Sequence, residues 1–135
     1  MPFLATLYFR TAILFLIIGI GIGLHMSISG NHGVMGAHAH LNLLGWVTSA
    51  LFGTYYAVNP LKAAGRLPLL QYAIYVIGIV IMIPALYVLL AGNPGAEPIV
   101  AMGSLIVFAG VLLFGWIIFS GDGVARATGM RQPAE

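Results

Sequence analysis

Four apolar stretches occupy almost the whole chain, roughly from Phe3 to Ile28, Ala37 to Val58, Leu67 to Ala91 and Pro98 to Ser120. Each is long enough to cross a hydrocarbon core about 30 Å thick, which takes about 20 helical residues. In hydrocarbon the backbone N–H and C=O groups must be satisfied inside the protein, and a helix does this within one segment. Composition agrees: 61% of the residues are hydrophobic and 6% are charged, a balance far from that of a soluble domain. The expected fold class is therefore all-α integral membrane. It comprises a single domain over residues 1–135 with four transmembrane helices, at about 3–28, 37–58, 67–91 and 98–120, and a polar tail from Gly121 to Glu135.

The first segment has one property of a secretory signal, an uninterrupted apolar run from Thr11 to Leu24 behind Arg10. Apolar character continues on both sides of that run, so a retained helix is expected instead of a cleaved leader. Charge sets the orientation. The cations are Arg10, Lys62, Arg66, Arg126 and Arg131, and with four crossings all of them fall on one side; the connections 29–36 and 92–97 hold none. The positive-inside rule then places both termini in the cytoplasm, with a bacterial inner membrane as the expected setting. The net charge of +2 follows from this bias, and no basic patch interleaved with aromatics exists to bind nucleic acid.

The connections carry their own punctuation. Asn59-Pro60 ends the second helix, since proline cannot continue the hydrogen bonding and disfavours helix in the residue before it. Leu67-Pro68 opens the third helix, Gly92-Asn93-Pro94-Gly95 forms a tight turn, and Glu97-Pro98 starts the fourth with an acid near its positive dipole end. Gly121-Asp122-Gly123 terminates it. Within the segments, Gly19 and Gly23 form a G-x-x-x-G pair suited to close helix packing or to a flat cofactor. Pro84 predicts a kink in the third helix.

All four histidines, His25, His32, His38 and His40, cluster around the first connection. Ionisable rings in an apolar segment mark a ligand or proton site. With no cysteine in the chain, disulfides, thiolate metal sites, iron–sulfur clusters and covalent haem attachment are excluded. Residues two apart on a helix project about 200° apart, so His38 and His40 cannot grip one metal ion from the same face. The His38 face continues through Asn42, Gly45, Ser49, Phe52/Gly53 and Tyr56, small and polar enough to look into a protein interface. The His40 face continues through Leu43/Leu44, Val47, Leu51 and Thr54/Tyr55, apolar and suited to a planar apolar cofactor. His25 lies about one turn from the end of the first helix, at similar depth. His32, beside Asn31 and Gly33, is the most exposed of the four by position. Tyr55, Tyr56 and Trp46 are candidate cofactor-lining aromatics, although such residues are also ordinary near membrane interfaces.

His38-Ala39-His40, followed by apolar and small residues through Gly45, Phe52 and Gly53 to Pro60, resembles a haem-ligating helix in subunit I of the haem–copper oxidase superfamily, which includes cytochrome oxidases and nitric oxide reductases. In that family one helix begins with His-x-His and serves a low-spin and a high-spin haem. His40-Leu41-Asn42 also resembles the His-x-Asn of nitric oxide reductase-like members, whose histidine ligates low-spin haem. The likeness covers about 23 residues, roughly one sixth of the chain. The family's subunit is twelve helices in three four-helix arcs about a pseudo-threefold axis. The resemblance therefore implies a homotrimer in which three copies of this chain rebuild such a body. It implies non-covalent haem b with bis-histidine ligation, His40 of one protomer pairing with His38, or else His25, of the next.

His38 and His40 are thus the expected iron ligands, with His25 as a further candidate, and Asn42, Gly45 and Trp46 complete the expected cofactor-binding set. The expected function is electron transfer, or redox or gas sensing, at the outer face, with a redox partner protein. Oxygen reduction, proton pumping and copper binding at a dinuclear centre do not carry over. The third and fourth segments hold no histidine, and the outer side lacks the arginine pair that holds haem propionates in the family. Asn31, His32, backbone amides or water are left for that task. Two alternatives stand beside haem: a copper- or zinc-binding or transport module built from His25, His32, His38 and His40, and a structural subunit of a respiratory complex.

Overall fold

A computed structural model describes residues 1–121, which comprise helices and short connections. The tail expected from Gly121 onward, with Asp122, Gly123, Arg126 and Arg131, lies outside the described residues apart from Gly121 itself. Helix α1 spans Phe3–Ser29. Helix α2 covers residues 35–58 in three contiguous parts: an α-helical turn Met35–His40, a π-helical stretch Leu41–Thr48 and an α-helix Ser49–Val58. Helix α3 is Arg66–Leu90 and α4 is Glu97–Phe119, preceded by a 3-10 turn at Pro94–Ala96. The helix bounds read from the apolar runs therefore agree to within about two residues, the ordinary uncertainty of helix ends.

Three of these elements are long and apolar enough to cross a membrane: Phe3–Ser29, Arg66–Leu90 and Pro94–Phe119. Between 22% and 33% of each apolar window is buried inside the chain. Most of each helix surface is therefore turned outward, as lipid or a neighbouring subunit requires.

Local chemistry explains the connections. Gly30 ends α1 with φ of 68°, a left-handed cap that a side chain would strain. Asn59 caps α2, its Nδ2 donating to the Tyr55 carbonyl at 2.9 Å. Gly92, at φ 105°, follows α3, and the Asn93 side chain then accepts from the Gly95 N–H at 3.1 Å to fold the turn before α4. Pro84 lies inside α3, which continues to Leu90. Lys62, in the α2–α3 connection, donates from Nζ to the Ile117 carbonyl at 3.1 Å and to the Ser120 carbonyl. It places a cation on the negative end of α4, where carbonyls lack helical partners.

α1 packs on α2 and also meets α3, α2 packs on α3 and α3 on α4; among the described residues the backbones of α1 and α4 do not meet. Glycines permit the close contacts. A Cβ on Gly103 or Gly110 of α4 would stand 2.8 or 2.9 Å from Cα of Met82 or Tyr75 on α3. Both pairs are seven residues apart, so α3 and α4 run antiparallel with a repeating small-residue seam.

A buried polar node joins all four helices at the end of the molecule away from the histidines. Gln71 of α3 is fully buried. Its Oε1 accepts from Tyr8 Oη of α1 at 2.6 Å and from Tyr56 Oη of α2 at 3.2 Å. Its Nε2 donates to the Gly110 carbonyl of α4 at 3.2 Å. Aromatic rings surround the node: Tyr8 stacks on Tyr56, and Phe114 of α4 stacks on Phe52 and meets Tyr55 edge-on. Tyr55 and Tyr56 therefore belong to the tyrosine end, about 15 helical residues or more from His40, and line nothing beside the histidines.

Candidate functional site

The histidine end is assembled by α1, the connection after it and the first turns of α2. His38 is half-buried against α1. Its Nδ1 stands 2.8 Å from the Gly19 carbonyl oxygen. Asn42 Nδ2 donates to the His38 carbonyl at 2.9 Å and lies 3.3 Å from the same Nδ1. The carbonyl oxygen offers only lone pairs, so the shorter contact assigns a proton to Nδ1, which donates to Gly19. The lone pair of the ring is then on Nε2.

The G-x-x-x-G pair makes this possible. A Cβ on Gly23 would stand 2.8 Å from His38 Cε1, and one on Gly19 would stand 2.7 Å from Asn42 Oδ1. The two glycines accept two polar side chains of α2 instead of a bare helix surface. This is the close helix packing read from the sequence, with polar side chains of α2 filling the space the glycines leave.

His40 is exposed. Its Nδ1 donates to the Gly36 carbonyl at 2.7 Å, one turn back along α2. Its Nε2 also carries the lone pair. Below His40 on the outward surface lie Leu43, Val47 and Leu51, 61%, 40% and 62% exposed. The other face of α2 is closed: Gly45, Ser49, Phe52, Gly53 and Tyr56 are buried. The division of α2 into a His38 face turned inward and a His40 face turned outward thus follows the helical periodicity.

The π-helical stretch begins directly after His40, at Leu41. Its looser register turns carbonyls toward side-chain donors: Thr48 Oγ1 donates to Leu43 O at 2.8 Å, and Tyr75 Oη of α3 donates to Leu44 O at 2.8 Å. Stretches of this kind recur at functional sites. Sequence gives no direct signal for it, because one of these donors, Tyr75 Oη, comes from another helix.

The remaining candidates separate. Gly45 is buried, and a Cβ there would meet Leu41 and Phe15 at 2.9 and 3.0 Å; it serves the α1–α2 contact. Trp46 is half-buried. His32 is exposed, with Nδ1 3.3 Å from the Gly30 carbonyl, and Asn31 Oδ1 accepts from the Gly33 N–H at 2.9 Å. His25 faces a different side of α1, in a recess of about 440 Å³ lined by Ile18, Gly21, Ile22, His25 and Tyr87. Among the described residues no three of His, Asp and Glu converge as a metal site.

No protein-family model, no curated protein and no solved structure matches this chain. What the site can do rests on its geometry.

Proposed function

We propose that this chain is a membrane b-type haem protein in which His38 and His40 supply axial imidazoles at sites shared between copies of the chain. The observation that carries the reading is the anchoring of both rings through Nδ1, to Gly19 O and to Gly36 O. Ligating histidines characteristically donate their second ring N–H to a carbonyl, which fixes the tautomer and the ring orientation. Here two rings in one short segment are held this way, each leaving Nε2 as a ligand atom. Imidazoles from His38 and His40 would hold the iron of a bound haem, which would supply one-electron transfer in preference to gas chemistry.

The residues divide the work. His40 stands at the head of the outward apolar stripe Leu43, Val47 and Leu51, which suits an apolar macrocycle. Asn42, bonded to the His38 carbonyl, and Gly23, which leaves room for the ring, set the position of His38. The two rings lie on opposite faces of α2, His38 inward against α1 and His40 outward, so one haem would not take both from the same chain. Among the described residues the backbones of α1 and α4 do not meet, and a closed ring of three copies, rebuilding a twelve-helix body, is the assembly we favour.

In this reading α2 also crosses the bilayer, since its helical path from residue 35 to 58 is as continuous as its neighbours. Arg10, Lys62 and Arg66 then lie toward the cytoplasm with both termini, and the histidines face the outside of a bacterial inner membrane. The test is the optical spectrum of protein purified under full haem supply. A low-spin haem spectrum that is lost in both His38→Ala and His40→Ala is expected. A colourless wild-type protein contradicts haem, and colourless protein with bound copper or zinc supports the metal-module alternative. A second reading has its own observation: the His38–Gly19 bond ties α1 to α2, as a purely structural subunit of a respiratory complex would use it. Colourless, metal-free protein supports that one.

A further inference from the structure

Side-chain hydroxyls record the register of the helices that carry them. In an α-helix a serine or threonine hydroxyl can donate to the carbonyl four residues back. Thr54 does so to Ala50 O at 2.9 Å, and Ser104 to Val100 O at 2.8 Å. Inside the π-helical stretch Thr48 instead donates five residues back, to Leu43 O. Ser49, the next residue, does neither. It is fully buried, and among the described residues its Oγ is the one buried side-chain polar atom without a hydrogen-bond partner. The carbonyl five residues back from it, Leu44 O, already receives Tyr75 Oη of α3 at 2.8 Å. A buried hydroxyl left open is costly, which calls for an arrangement that satisfies it.

The same stretch sets the direction of the two imidazoles. On α2 the buried positions Ala37, Leu41, Gly45, Ser49 and Gly53 recur every four residues, a longer repeat than the 3.6 of an α-helix. The wider i to i+5 register keeps Ala37 in line with Ser49. In uninterrupted α-helix His38 takes that place, since eleven residues complete three turns to within about 20°. The two registers therefore differ by one residue of rotation, roughly 100°, at the turn that carries His38 and His40.

We propose that Leu41–Thr48 is a two-register switch that aims His38 and His40. Tyr75 Oη on Leu44 O latches the π register, in which His38 meets Gly19 O. When Tyr75 withdraws, the stretch relaxes to α-helix and Ser49 Oγ donates to Gly45 O. The first turn of α2 then rotates by roughly 100° and takes His38 off the Gly19 carbonyl. Each register satisfies one of the two hydroxyls and releases the other, the condition for two discrete packings instead of a continuous deformation. The switch acts on the rings whatever they bind, so it stands apart from the haem reading.

Single cysteines test it, because the chain has none of its own. Ala37→Cys lies on the buried line and Met35→Cys at an exposed position; purified protein carrying either is labelled with a water-soluble maleimide. Combined with Tyr75→Phe, the Ala37→Cys rate should rise about three- to thirtyfold, the population shift set by one interhelical hydrogen bond, while the Met35→Cys rate falls. Adding Ser49→Ala, which removes the bond that favours the α register, should bring both rates back toward those of the parent protein. Histidine 15N spectra of the cysteine-free protein give the second measurement. The carbonyl-bonded Nδ1 signal of His38, identified by its loss in His38→Ala, should weaken in Tyr75→Phe and recover when Ser49→Ala is added. Rates that rise together at both cysteines show loosening instead of rotation and overturn the proposal. Rates and 15N signals unchanged by Tyr75→Phe overturn it too, as does a Tyr75→Phe effect that Ser49→Ala fails to reverse.

Discussion

His38 is held from two directions, by the Gly19 carbonyl on α1 and by the turn of α2 that Asn42 braces. The space for the ring exists only because residue 23 has no side chain. Gly23→Ala puts a Cβ 2.8 Å from His38 Cε1, so the ring must leave its carbonyl or the helices must part. Overpacking of this kind costs about 1–3 kcal/mol. The thermal midpoint in detergent should fall accordingly, whereas Gly21→Ala, whose Cβ meets nothing within 4 Å, should leave it unchanged or raise it slightly. At this scale the sequence is informative about which residues matter and silent about what they touch. The clustering of the histidines and the G-x-x-x-G spacing are both visible. That the second serves the first depends on the rotation of α1 against α2, which no local pattern encodes. Gln71 carried a readable signal, a single amide inside an apolar span, but its four-helix role emerges only from packing.

Element ends follow rules that a sequence displays: Gly30 and Gly92 at left-handed positions, Asn59 before Pro60, Asn93 before Pro94. For that reason the helix limits agree closely with the apolar runs. The π-helical register of Leu41–Thr48 does not follow such rules. It depends on donors outside its own hydrogen-bond ladder, Thr48 Oγ1 and Tyr75 Oη. Tyr75→Phe withdraws one of them and leaves the Leu44 carbonyl without it. A bond of this kind between membrane helices is worth about 0.6–2 kcal/mol. Faster hydrogen exchange at the amides of residues 41–48, with little change in Ser49–Val58, is the expected outcome; uniform acceleration along α2 would show that Tyr75 holds the whole helix and not its register.

The whole molecule has two differently built ends. At one, Gln71 ties four helices through Tyr8, Tyr56 and Gly110. Gln71→Leu leaves two buried hydroxyls unpaired and should destabilise the chain by about 2 kcal/mol or more. Its unfolding midpoint in a denaturing-detergent titration should drop further than that of Tyr8→Phe alone, since the substitution releases three contacts at once. At the other end, two anchored imidazoles lie on opposite faces of α2, His38 against α1 and His40 turned outward. In the proposed function the site there is completed by a second copy of the chain. Co-expression of His38→Ala and His40→Ala chains tests it most directly, because each lacks one ligand and retains the other. If every haem takes His40 from one protomer and His38 from the next, random mixing in a closed ring restores about one quarter of the sites. A low-spin haem spectrum at about that fraction of wild type, absent from either variant expressed alone, is the predicted result. A mixture as colourless as its two components would contradict the shared site.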